Sequence, residues 1–207
     1  ETGARIDSSG LVLIGTTTEG HDDADNLTIA DSANAGVTIR SGTGNAGHIY
    51  FSDGTSGTDE YKGLIAYNQN SDFMSFWTNG DNEKMRIDSS GRVLIGTTTE
   101  GQEDADDLTI ESSGSVGITL RSGTSAAGAI YFSDATSGTA EYDGAIIYNQ
   151  SSQFMSIYTA QSPRIRIDSN GRVGVNTAVM SNANAGFDDL VVRGSDGGNS
   201  GITILSG

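Results

Sequence analysis

Apolar and polar positions alternate along this chain in short runs, each bounded by Gly, Ser, Asn or Asp. Met85-Arg86-Ile87-Asp88 alternates, Ser89-Ser90-Gly91 supplies a turn, and Val93-Leu94-Ile95 returns, which predicts a hairpin. Leu108-Thr109-Ile110 and Ile118-Thr119-Leu120 flank Ser112-Ser113-Gly114-Ser115 and predict a second hairpin. Gly144 to Tyr148 and Phe154 to Tyr158, around Asn149-Gln150-Ser151-Ser152, predict a third. The period is two throughout, and no stretch of useful length carries the 3.6-residue period of a helix. The expected fold class is all-β, made of repetitive short antiparallel strands and hairpins. The 29 Gly fit many tight turns, while a single Pro and no Gly-X-Y period exclude collagen.

The pattern repeats at long range. Arg86 through Gly101 reproduces Arg5 through Gly20 with one change, Leu11 becoming Arg92. A third copy of the core is Arg166-Ile167-Asp168-Ser169-Asn170-Gly171-Arg172-Val173. Val37-Thr38-Ile39-Arg40-Ser41-Gly42 matches Ile118-Thr119-Leu120-Arg121-Ser122-Gly123, and Ile49-Tyr50-Phe51-Ser52-Asp53 matches Ile130-Tyr131-Phe132-Ser133-Asp134. The units are residues 5–85, 86–165 and a partial 166–207, and the chain reads as a segment of a longer repetitive protein. About eight transverse strands per unit, at ~4.8 Å spacing, would add roughly 40 Å of length.

Composition narrows the function classes. Eleven basic residues face 27 acidic ones, a net charge of −16, which opposes binding to nucleic acid phosphates or anionic membranes. No apolar run approaches the ~20 residues of a membrane span. The absence of Cys excludes disulfides, thiolate metal sites and cysteine catalysis. So polar a chain buries only a thin core by itself, which points to self-association. Met85 and Ile87 fall on one strand face, as do Ile165 and Ile167. Three copies around an axis would bury that face and cover sheet edges that a monomer exposes.

One run carries a resemblance: Gly63-Leu64-Ile65-Ala66-Tyr67-Asn68, then Phe73-Met74-Ser75-Phe76-Trp77-Thr78-Asn79-Gly80, then Glu83-Lys84-Met85-Arg86-Ile87-Asp88-Ser89-Ser90-Gly91-Arg92-Val93-Leu94-Ile95-Gly96-Thr97. It resembles the shaft repeats of bacteriophage tail fibres and related appendages, which often precede an intramolecular chaperone. The resemblance implies an elongated, intertwined parallel homotrimer of triple-stranded β-helix or β-prism type. It implies a non-enzymatic shaft, located in the virion tail and extracellular, that spaces and presents receptor-binding parts. Its partners would be its own copies, other tail components, and a host glycan or protein reached through parts outside this segment. The alternative is a bacterial extracellular adhesin or fibril subunit. A polysaccharide-depolymerising tailspike is a third reading.

The candidate chemistry is sparse. Gly42-x-Gly44-x-x-Gly47 matches a dinucleotide-binding string, but a strand should follow it instead of a helix, so it reads as a turn. His21 and His48 are the only imidazoles, too few for a cluster. The acidic loops at Asp22, Asp23 and Asp25 and at Glu103, Asp104 and Asp106 offer hard oxygen donors, making a structural Ca²⁺ the one cofactor to consider. Asp188 and Asp189 are all that the third unit offers there. Asp53, Asp59, Glu60, Asp134 and Glu141 would have to supply any glycosidase pair. Carboxylates that recur in each unit mark architecture, and Asp88 is expected to cap its turn or pair with Arg86 or Arg92. Tyr61, Trp77 and Tyr142 are candidates for stacking on sugars.

Overall fold

The computed structural model describes residues 3–177 and 189–194. The described chain is all-β, with two short 3-10 turns at Gly57–Tyr61 and Thr139–Tyr142. It divides into two compact units, Glu1–Gly117 and Ile118–Gly207.

The first unit holds two sheets. The smaller has β1 (Ala4–Ile6), β2 (Val12–Ile14) and β3 (Leu27–Ile29) in that order. The larger has six strands in sequence order: β4 (Ala46–Phe51), β5 (Gly63–Asn68), β6 (Phe73–Thr78), β7 (Glu83–Ile87), β8 (Val93–Ile95) and β9 (Leu108–Ile110). The second unit repeats that sheet as β10 (Ala127–Phe132), β11 (Gly144–Asn149), β12 (Phe154–Thr159), β13 (Ser162–Ile167), β14 (Val173–Val175) and β15 (Leu190–Val192). Each of the two larger sheets has six strands where about eight per repeat were expected, and β4–β9 runs across residue 86, where one sequence repeat gives way to the next.

The predicted hairpins β7–β8 and β11–β12 are present. The predicted hairpin of Leu108–Ile110 with Ile118–Leu120 is not. β9 pairs in parallel with β8, and the 115–121 segment joins no strand. The reason lies in what holds each piece. The crossover from β8 to β9 is tied by Arg92, whose Nη1 bonds Asp106 at 2.8 Å, and by the Gly101 amide donating to Thr109 Oγ1 at 2.9 Å. The 118–121 segment instead rests on the following strand, where an added Cβ at Gly128 would stand 3.7 Å from the Leu120 Cβ.

The shared Arg-Ile-Asp-x-x-Gly motif builds a tight turn. Asp88 Oδ1 accepts hydrogen bonds from the Ser90 and Arg92 amides at 2.9 and 3.0 Å, and Gly91 takes φ 86°. Asp7 and Asp168 repeat that cap over Gly10 and Gly171. Just beyond β8, Gly96 sits at φ 75°, and a Cβ there would run into the Glu111 carbonyl oxygen. That carbonyl belongs to the residue just past β9, the strand brought alongside in parallel, so glycine is the residue that lets the chain approach there.

Gly96→Ala should therefore lower stability by more than about 2 kcal/mol, combining left-handed backbone with a backbone clash. Gly114→Ala, where an added Cβ meets nothing within 4 Å, should change it little. Denaturant titrations of both variants check this.

Candidate functional site

The register of each six-stranded sheet sorts its side chains into two unlike faces. On one face Ile49, Ile65, Phe76, Met85, Ile95 and Ile110 stand directly opposite one another in a row across all six strands. Beside it runs Gly47, Tyr67, Met74, Ile87, Val93 and Leu108. The second unit repeats both rows: Ile130, Ile146, Ile157, Ile165, Val175 and Val192, then Gly128, Tyr148, Met155, Ile167, Val173 and Leu190. In the small sheet, Ile14 with Ile29 and Ile6 with Val12 and Leu27 continue the pattern.

This face is open. Ile49 is 48 % exposed, Leu108 51 %, Ile130 50 % and Leu190 53 %. Among the described residues the buried apolar side chains are Leu13, Ala66, Leu94 and Ala145, and none of these lies on the two apolar rows.

The other face is narrow and self-satisfied. Its middle row is His48, Ala66, Ser75, Arg86, Leu94 and Thr109. Ser75 and Leu94 are each 1 % exposed. Trp77 folds over this row and its Nε1 donates to Ser75 Oγ at 2.8 Å. The Arg86 guanidinium lies 4.0 Å above the Phe73 ring and is held by Glu83 through Nε and Nη2 at 2.6 and 2.8 Å. Arg166 repeats the stacking on Phe154 at 3.6 Å. Pro163 takes the place of Glu83, so Arg166 Nε is buried with no hydrogen-bond partner.

The acidic candidates do not converge. Asp22, Asp23, Glu103 and Asp104 are exposed, Asp25 is half-buried, and Asp106 is taken by Arg92. Within these loops the Asp23 amide donates to His21 Nδ1 at 3.2 Å, and the Asp104 amide to Gln102 Oε1 at 2.8 Å. Among the described residues of the single chain, no three His, Asp or Glu side chains form a group able to hold a metal ion. These loops are the crossovers into β3 and β9. A parallel neighbour needs a connection of about a dozen residues, so their first role is topological. Asp189 precedes β15, and Asp188 lies outside the described residues.

The remaining candidates stay with structure too. Gly42 begins a turn closed by the Asn45 amide at 2.9 Å, and β4 follows it. His48 stacks on Tyr50 at 5.2 Å, and Tyr50 meets Tyr61 edge-on at 6.5 Å. Tyr131 and Tyr142 form the matching pair at 6.4 Å. Asp59 bonds Lys62 Nζ at 2.7 Å, and Ala140 and Asp143 replace that pair in the second unit. Asp53, Glu60, Asp134 and Glu141 have no ion pair among the described residues. The largest assembled feature is thus the double apolar row. Sequence reasoning had its period and missed its breadth, because breadth depends on strand register.

No protein-family model matches the chain, and a search of curated proteins returns no match. Among the described residues, no helix is long and apolar enough to cross a membrane.

The turn carboxylates give these sheets an acid sensitivity. The Arg172 guanidinium, then the Arg172 and Asn170 amides, hold the Asp168 carboxyl below its ordinary range. Burial pushes Asp88 up, but the Arg92 amide and guanidinium and the Ser90 amide outweigh it and leave it lowered. A carboxyl lowered in the folded state adds stability that is whole above its unfolded pKa, near 3.8, and drains as pH falls through the folded value. Melting temperature should therefore fall as pH drops below about 4. An Asp88→Asn, Asp168→Asn chain should melt lower at pH 7 and lose less on acidification, as calorimetry across pH 2.5–7 on both proteins would record.

Proposed function

We propose that this chain is a shaft segment of a bacteriophage tail fibre or a closely similar extracellular appendage, and that it works as a homotrimer. The observation that carries the reading is the double row of apolar side chains, built across six strands in each unit and left uncovered in the single chain. Fully burying an Ile, Leu, Met or Phe is worth ~1.5–3 kcal/mol, so leaving two such rows in water is a large uncompensated cost. Three identical faces turned toward one axis remove it, and the resulting stack of sheets is a β-prism. The resemblance of residues 63–97 to phage fibre repeats selects the trimer and the appendage. The acidic outer surface keeps a long rod soluble, and the number of units sets its length. In this reading the chain performs no turnover. Its contribution to infection is to hold receptor-binding parts, located elsewhere, at a fixed distance from the particle.

Light scattering on the purified chain should give a mass near three times 21.4 kDa, with a slow band on an unboiled SDS gel. Ile157→Asp with Ile167→Asp places two charges on the apolar rows and should shift that mass toward one chain, with strand content by circular dichroism largely kept. A wild-type monomer would sink the shaft reading.

A further inference from the structure

The segments Val37–Arg40 and Ile118–Arg121 are strands in pattern, and although Ile39 and Leu120 lie against Gly47 and Gly128 of the strands that follow, neither segment joins a sheet. Each alternates apolar and polar residues, yet residues 34–41 and 115–121 make no backbone hydrogen bond to any described residue. Val37 is 69 % and Ile118 67 % exposed. Each segment is followed by a serine, Ser41 or Ser122, whose hydroxyl is buried without a partner. Both segments are exposed, so their backbone groups face water and are free to pair with another strand, and this recurs at matching places in two repeats. The strands β3 and β9 are equally incomplete. Each is an outermost strand with one side unpaired, and Leu27 and Leu108 are exposed on them.

We infer that each orphan segment adds to the open edge of β3 or β9 in a second copy of this chain, antiparallel and with threonine facing threonine. This rests on the homotrimer proposed above and names the seam between its chains. Edge and segment share one pattern, apolar-Thr-apolar: Leu108-Thr109-Ile110 against Ile118-Thr119-Leu120, and Leu27-Thr28-Ile29 against Val37-Thr38-Ile39. With Thr119 opposite Thr109, Leu120 meets Leu108 and Ile118 meets Ile110, so the apolar rows extend by one strand. The same register brings Arg121 across from Asp107, and Arg40 across from Asn26. Arg121 and Asp107 are both exposed and have no ion pair among the described residues, so the pairing joins opposite charges on a chain of net charge −16. A second copy suits the geometry better than an unrelated partner. Only residues 111–117 separate edge from segment, at most about 25 Å of chain, so both lie near one height along an axis. A rotation without axial shift then joins the segment of each copy to the edge of the next and closes the ring.

The chain has no Cys, so an engineered disulfide is read without background. Thr109→Cys with Thr119→Cys in one full-length chain, oxidised gently, should run on a non-reducing gel mainly as a covalent trimer. Chains carrying one substitution each, with different tags and co-expressed, should form a two-tag covalent pair, while neither alone does. A monomer band with an internal disulfide means that the segment folds back on its own β9 and overturns the inference. A trimeric mass with no cross-link overturns it too, while leaving the shaft reading intact. A monomeric mass overturns both. Charge exchange is independent of cysteine: Arg121→Asp and Asp107→Arg should each lower the trimer fraction at low salt, and the double exchange should restore it. Failure of restoration, with both single variants folded by circular dichroism, also counts against this register.

Discussion

Everything in this structure depends on one constraint, that a six-stranded sheet with an apolar face must have that face covered. The chain meets the constraint on one side only. There, small residues at the centre of the sheet, Ala66 and Ser75, let Trp77, Phe73 and Arg86 fold down and close the surface from within a single strand layer. On the other side every position of the two rows is apolar except Gly47 and Gly128, and no second layer is present within either sheet's own strands. A domain ordinarily buries such a face against a helix layer or another sheet. Among the described residues the only helical elements are the two short 3-10 turns, so cover must come from outside the sheet.

The hairpins and their turns were legible in the sequence because both are local. Period-two alternation gives the strands, and Asp-x-x-Gly gives the turn, since the Asp carboxylate meets amides two and four residues on and glycine takes the positive φ. The sidedness of Met85 and Ile87 was legible for the same reason. What escaped was long-range. The parallel pairing of β9 with β8 is made through a twelve-residue crossover from 96 to 107, tied by the Gly101 amide to Thr109 Oγ1 as the Gly20 amide is to Thr28 Oγ1 in the first repeat, and reinforced in the second by Arg92 reaching Asp106, fourteen residues away. The acidic loop looked like a ligand cluster because its charges are dense, whereas one of its carboxylates is already committed to an arginine and others point to solvent. The 118–121 segment was misassigned to a cis hairpin because alternation identifies a strand without identifying its neighbour.

Differences between the repeats show which parts of the design tolerate change. The apolar rows keep their character throughout, and the Asp-centred turn appears three times. The opposite face is looser. Pro163 removes the carboxylate that Glu83 offers Arg86, and Arg166 is left stacked on Phe154 with Nε unbonded. A buried Nε–H without a partner costs stability, and the stacking recovers only part of it. The second sheet tolerates this on the face that closes itself and nothing comparable on the face that stays open. The stricter requirement therefore sits where a single chain gains least from it.

Near-identical repeats bring a hazard, because an assembly of copies can slip by one unit and still match pattern to pattern. The rows carry a remedy in their volumes. Across the first large sheet the central row reads Ile49, Ile65, Phe76, Met85, Ile95, Ile110; across the second it reads Ile130, Ile146, Ile157, Ile165, Val175, Val192. The first places an aromatic ring and a flexible thioether at the middle of the row, and the second fills the same places with β-branched chains. In the proposed trimer, three copies in register would bring Phe76 against Phe76 and Ile157 against Ile157 around the axis, so each layer would pack with its own kind. A slip of one unit sets a ring beside two branched side chains in one layer and opens space in another, which costs packing in both. On the trimer reading, divergence confined to the size of the row side chains, with their apolar character retained, would hold the chains in alignment.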